Sequence, residues 1–160
     1  MAVEIERKFL LGSDTSWRSE VIRSVGMVQA YISSGSGRTV RVRICGEKAY
    51  LTIKGPSEDG GLSRFEWEKE IGVQEARDLL AIAEPGLIEK TRHLVRSADG
   101  VHIWEIDEFH GANEGLVLAE IELRSEGDSF PRPSWLGEEV TGDSRYYNSS
   151  LSRLPFTRWK

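Results

Sequence analysis

Along most of this chain apolar and charged residues alternate with a period of two, the spacing of a β-strand with one face in a core. In Val3–Leu10, Val3, Ile5 and Phe9 share a face with Arg7, while Glu4, Glu6 and Lys8 point the other way. The alternation returns in Arg38–Ile44, Lys48–Lys54, Leu62–Ile71, Leu87–Arg96, Val101–Phe109 and Gly115–Arg124, and Met27–Ser33 reads as one further strand. Only Gln74–Ala83, with Ala76, Leu79, Leu80 and Ala83, has helical spacing; Pro85-Gly86 stops it. Ser13-Asp14-Thr15 predicts a capped helix to about Arg23, and Asp143 another from Ser144 to Leu154. Gly55–Gly61 reads as a flexible loop, and Asp99-Gly100 as a tight hairpin turn. The expectation is a mainly β, α+β fold: eight antiparallel strands joined by short turns, closed into a barrel with a few flanking helices.

The charged faces carry blocks of one sign. Glu4/Glu6, Glu66/Glu68 and Glu120/Glu122 are acidic pairs; Arg41/Arg43 and Lys90/Arg92 are basic pairs. A solvated strand face usually mixes Thr, Ser, Lys and Glu, and charge runs are usually surface. Sign-sorted blocks instead favour a barrel whose ionised faces line the lumen while helices cover the apolar faces. Arg pairs suit bidentate grip on phosphate. Crowded carboxylates raise one another's pKa unless a cation sits between them, and oxygen ligands suit Mg²⁺ or Mn²⁺. Parity leaves the direction of Arg64, Glu70, Glu105 and Arg124 open.

Composition narrows the classes. A length of 160 residues predicts one domain, 1–160, with a real core. Net charge −5 argues against nucleic acid and anionic membranes as partners. No apolar run reaches 18 residues, and Met1-Ala2-Val3-Glu4 runs straight into a strand without a leader pattern, so a cytoplasmic protein is expected. The lone Cys45 excludes an internal disulfide and reads as a small core residue. His93, His102 and His110 lack zinc-ligand spacing, and there is no P-loop and no Gly-x-Ser-x-Gly.

Glu4-Ile5-Glu6-Arg7-Lys8-Phe9 resembles the Glu-x-Glu-x-Lys signature of the CYTH superfamily, the triphosphate tunnel metalloenzymes. The resemblance continues through Val40-Arg41-Val42-Arg43, Leu51-Thr52-Ile53-Lys54, Arg64-Phe65-Glu66-Trp67-Glu68, Glu89-Lys90-Thr91-Arg92, Asp107, Ala119-Glu120-Ile121-Glu122-Leu123, Glu139-Val140-Thr141 and Arg145-Tyr146-Tyr147-Asn148. Gln29-Ala30-Tyr31 departs from an expected Gln-Gly-Tyr. The resemblance implies an eight-stranded tunnel, a divalent metal, and hydrolysis or cyclisation of triphosphates.

The matched positions hold seven carboxylates and six cations, leaving −1. Two Mg²⁺ or Mn²⁺ would bring this to +3, suited to a triphosphate of roughly −4 to −5. On this reading Lys8, Arg41, Arg43, Lys54, Lys90 and Arg92 grip substrate. Glu4, Glu6, Glu120 and Glu122 hold metal, with Glu66, Glu68 and Asp107 completing the shell or orienting water. Lys90 would stabilise the leaving group, and Tyr31 is a candidate hydrogen-bond partner, though a strand Tyr is more often packing. The expected substrate is inorganic tripolyphosphate, handled by a monomer or homodimer. Alternatives are an organic triphosphate (thiamine triphosphate, a nucleoside triphosphate, or cyclisation of ATP) and a non-catalytic polyphosphate-binding module. Trp67, Trp104 and Trp135 read as packing, which leaves little to recognise a base.

Overall fold

The computed structural model describes residues 3–159; Met1 and Ala2, part of the opening read as leaderless, and Lys160 lie outside them. Nine strands form one antiparallel sheet: β1 (Val3–Leu11), β2 (Val21–Ser33), β3 (Thr39–Cys45), β4 (Lys48–Glu58), β5 (Ser63–Ile71), β6 (Ile88–Arg96), β7 (Ile103–Phe109), β8 (Val117–Glu122) and β9 (Leu136–Glu139). The order is β5-β4-β3-β2-β6-β7-β8-β1-β9, and a β1–β5 pairing closes the first eight into a barrel. β1 is the seam. One edge pairs with β8 (Lys8 opposite Glu120); the other pairs first with β5 (Val3 opposite Phe65), then with β9 (Phe9 opposite Glu139). Closure satisfies edges that an open sheet would leave unpaired.

The helices are fewer than expected. Ser16–Glu20 is a single 3-10 turn, and the segment read as helix to Arg23 is already β2, where Val21 pairs with Val95 and Ser24 with His93. Pairing to β6 overrides a weak capping signal; Trp17 pins the turn to the core. The supposed loop after Lys54 continues β4 to Glu58 across Pro56, with a register shift between Lys54 and Ser57 that accommodates a residue without an N–H. β9 escaped the pattern because it is only four residues long, two of them Glu.

Three apolar clusters cover the barrel's outside. Phe9, Trp104, Ile121 and Trp135 pack under Trp17 and Phe130. Ile88 and Leu118 pack beneath Leu151 of the C-terminal helix α2 (Asn148–Arg153). Val42 and Ala49 pack beneath α1 (Val73–Ala81). The cover is incomplete: Val3, Ile53, Phe65 and Trp67 stay exposed, so Trp67, at 43 % exposure, is not the packing residue that parity suggested. Cys45 ends β3 half-buried rather than in the core. No helix among the described residues is long and apolar enough to cross a membrane.

Candidate active site

The ionised strand faces point inward and enclose a cavity of about 210 Å³. Register sets who meets whom. Lys54 lies across from Glu66, Thr52 from Glu68, Tyr31 from Arg41, Arg92 from Asp107, and Glu105 from Glu120. Of the residues expected at the site, Glu4, Glu6, Lys8, Tyr31, Arg41, Arg43, Lys54, Glu66, Glu68, Arg92, Glu120 and Glu122 line the cavity. Lys90 and Asp107 are almost fully buried and stand behind its wall. Of the residues whose direction parity left open, Arg64 and Glu105 face the cavity, and Glu70 and Arg124 do not. The lining thus holds seven carboxylates and six cations, the same formal −1 with a different membership.

The carboxylates are crowded on the β1 side. Lys54 Nζ bonds Glu4 Oε1 at 2.7 Å and lies 3.5 Å from Glu66. Among the described residues Glu6 makes no ion pair, and Lys54 offsets only part of its shift. Burial, then the neighbouring Glu120 and Glu4, push its carboxyl well above the usual range. Burial and Glu4 likewise raise Glu66 and Glu122. Burial would raise Glu120 too, but Lys8 at 3.8 Å and Arg92 outweigh it and bring it to about 2. Burial and mutual repulsion thus disfavour the charge on Glu6, Glu66 and Glu122. That all-oxygen donor set fits a hard divalent cation, whose charge would relieve the repulsion. In this state the carboxylates are drawn to Lys8 and Lys54, and no three acidic, His or Cys side chains among the described residues form a ready-made cage.

The opposite wall is basic. Arg41 Nη2 donates to Thr52 Oγ1 at 3.2 Å, and Thr52 in turn donates to Glu68 at 2.7 Å. Arg41 Nε, buried, has no hydrogen-bond partner among the described residues. Arg43 Nε donates to Gln29 Oε1 at 2.7 Å; burial, then Arg41 and Arg92, destabilise its charge, a demand for an anion. Behind them Asp107 accepts from Arg92 Nε at 2.7 Å and from Lys90 Nζ at 2.8 Å. Burial would raise Asp107, yet Arg92 and Lys90 overwhelm it and keep the carboxyl ionised. Burial lowers Lys90 to about 7, against the pull of Asp107.

The strand pattern missed the residues that close the cavity. The C-terminal segment expected as one helix is a 3-10 turn (Ser144–Tyr146), an extended Tyr147, then α2. That break delivers Tyr147, Asn148 and Ser149 to the cavity, beside Thr141 and Gly142 from the stretch before the turn. Lys8 Nζ donates to Tyr146 O at 3.1 Å and lies 5.5 Å from the Tyr147 ring centre. Gly142 packs against the turn at Gly60-Gly61; at φ +81° a side chain there would run into Gly60 O. The sequence signals for this segment were the matched Glu139-Val140-Thr141 and Arg145-Tyr146-Tyr147-Asn148 runs.

An antiparallel tunnel closed on itself, with carboxylates crowded along one wall and guanidinium groups along the other, defines a site for a small polyanion and its cations. The CYTH domain model matches residues 2–155, and the chain belongs to that family. It is 45 % identical to an inorganic triphosphatase of Acetivibrio thermocellus, over all of this chain and 99 % of that one. It is 36 % identical to an inorganic triphosphatase of Nitrosomonas europaea, over 93 % of this chain and 96 % of that one. A solved crystal structure of an inorganic triphosphatase superposes with TM-score 0.67 at 34 % identity, covering 93 % of this chain and 97 % of that one.

Proposed function

We propose that this chain is a divalent-metal-dependent hydrolase that cleaves inorganic tripolyphosphate to pyrophosphate and orthophosphate. The observation that carries the reading is the guanidinium wall: Arg41, Arg43 and Arg92 face the same cavity as the carboxylate wall, and among the described residues Arg43 makes no ion pair. Relatives named for inorganic triphosphatase support the choice of substrate. So does the lining, which offers no aromatic side chain beyond Tyr31 and Tyr147 to hold a base.

Glu4, Glu6, Glu120 and Glu122 would hold the cation, Mg²⁺ or Mn²⁺ and two ions by charge, with Glu66 completing the shell. When bound, the ions neutralise phosphate charge and lower the pKa of a water. Asp107, tied to Arg92 and Lys90, serves as their counter-ion from behind the wall. Lys8, Arg41, Arg43, Lys54 and Arg92 bind and align the phosphates, which is most of what phosphoryl transfer asks of a protein. Glu68, held by Thr52, orients the water and takes its proton. The water oxygen attacks the terminal phosphorus in line with the bridging oxygen. That P–O bond breaks, and its electron pair leaves on pyrophosphate. Tyr31, across from Arg41, hydrogen-bonds a phosphate oxygen, and Lys90 supports the leaving group through the charge field of Arg92 and Asp107. The enzyme would work in the cytoplasm as a monomer or homodimer, without nucleic acid or membrane.

Product chromatography with tripolyphosphate, ATP and thiamine triphosphate, in Mg²⁺ or Mn²⁺ and in EDTA, tests this. Orthophosphate chiefly from tripolyphosphate is expected. Cyclic AMP as the main product from ATP, or metal-dependent tripolyphosphate binding without turnover, would replace the reading with cyclisation or a binding module.

A further inference from the structure

Asn148 opens α2 and reaches the cavity from outside the barrel. Its Oδ1 accepts from Lys90 Nζ at 3.1 Å and from Gln29 Nε2 at 3.3 Å. The direction of this amide follows from a chain of groups that can only donate. The Arg43 guanidinium is donor-only, so the Gln29 atom 2.7 Å from its Nε must be oxygen. Gln29 then turns its NH₂ towards Asn148. That NH₂ and the Lys90 ammonium are both donors, so the Asn148 atom between them must also be oxygen. The amide cannot flip without setting donors against donors. Its Nδ2 is consequently turned from both partners, and among the described residues it has no acceptor. It is not among the buried unpaired atoms either, because Asn148 is only half-buried and borders the cavity.

We propose that Asn148 is a substrate-binding residue whose Nδ2–H groups donate to an oxygen of the polyphosphate chain. The inference rests on the triphosphate reading and adds a contact from the C-terminal segment to it. Gln29, buried and off the cavity, is the positioning residue that transmits the polarity of Arg43 to Asn148. A neutral donor suits this place: it adds a hydrogen bond to the anion without adding a charge beside Lys90 and Arg43.

Asn148→Asp separates this role from bracing. The carboxylate keeps an acceptor for Lys90 and Gln29 at nearly the same volume, but it replaces the free N–H pair with an anionic oxygen facing substrate. With Mn²⁺ present, KM for tripolyphosphate is expected to rise about tenfold or more, and affinity for pyrophosphate, read by calorimetry, to fall in parallel. Asn148→Ala, which loses the donors without adding charge, is expected to raise KM several-fold with a smaller effect on kcat. The metal-free melting temperature of Asn148→Asp should stay within a few degrees of the parent. Parental KM and pyrophosphate affinity in a folded Asn148→Asp protein would overturn the proposal. If that variant does not fold, a folded Asn148→Ala protein with parental values overturns it equally. Should the parent release no phosphate from tripolyphosphate, the hydrolase reading fails on its own; the pyrophosphate affinities would still report whether Asn148 contacts the anion.

Discussion

Lys54 Nζ sits 2.7 Å from Glu4 Oε1 and 3.5 Å from Glu66, so a single ammonium from β4 neutralises carboxylates from β1 and β5 across the barrel seam. Burial would lower Lys54, but Glu6 and Glu4 more than reverse it and keep the ammonium charged. Lys54 also offsets part of the shift of Glu6, but among the described residues Glu6 makes no ion pair of its own.

Glu6→Gln keeps the shape and removes a carboxylate whose charge burial, Glu120 and Glu4 disfavour. A raised folded pKa means that the group's stability is full below the unfolded value and lost as pH rises through the folded one. At neutral pH the substitution should therefore leave the metal-free melting temperature unchanged or higher, while turnover falls roughly 10²-fold. Calorimetric melting and phosphate release in Mn²⁺ check both. Parental turnover would remove β1 from the site. In the parent, Mn²⁺ should raise the melting temperature in a concentration-dependent way, and EDTA should abolish turnover while leaving the circular dichroism of the barrel intact.

Arg41 and Arg43 differ in their ties: Arg41 contacts Thr52 and lies 3.6 Å from Glu68, while Arg43 is bound to Gln29. Arg41→Ala should raise KM for tripolyphosphate about tenfold and lower kcat, since it frees Glu68 as well as losing a phosphate ligand. Arg41→Lys should recover only part, because an ammonium cannot reproduce the bidentate fork. Steady-state kinetics decide; full recovery by Lys would mean that charge alone matters at this position.

His102 lies outside the site and is buried between two carboxylates, with Nδ1 3.1 Å from Asp99 and Nε2 2.9 Å from Asp128. The Asp128 hydrogen bond pushes the imidazole up; burial opposes it and Asp99 adds to it. His102 therefore stabilises the fold fully below its unfolded pKa of about 6.5, and that contribution is lost as pH rises through the higher folded value. The melting temperature should decline as pH rises above about 6.5. In His102→Gln that decline should flatten, with kcat unchanged. A parallel decline in both proteins would mean that His102 is not its source.

Gly142→Ala tests how the mouth is built. The residue is at φ +81° and packed against Gly60 O, so a methyl group must move the 60–61 turn or the C-terminal segment. The expected result is a melting temperature lower by several degrees and a raised KM, because Tyr147 and Asn148 follow Gly142 into the cavity. Gly127→Ala, where a Cβ meets nothing within 4 Å, should be silent by the same assays.

Much of this molecule is written in its period-two pattern. Because successive side chains must alternate across a strand, spacing alone put Glu4 with Glu6, Arg41 with Arg43, Glu66 with Glu68 and Glu120 with Glu122 on one face of each strand; the sorting of their signs pointed those faces to a lumen, and the Asp99-Gly100 turn followed from its residues. What alternation cannot carry is anything decided by long-range pairing. β2 begins six residues before its pattern because Val21 finds Val95; β4 crosses Pro56 because a register shift there spares the missing N–H; β9 exists only because β1 has half an edge to fill. Depth is decided the same way. Lys90 shares its parity with Arg92, yet it ends behind the wall because Asp107 and Asn148 take up its ammonium. Asn148 itself comes from a helix start, where period two says nothing; the extended Tyr147 before it, set by packing of the C-terminal segment on the barrel, brings it to the cavity.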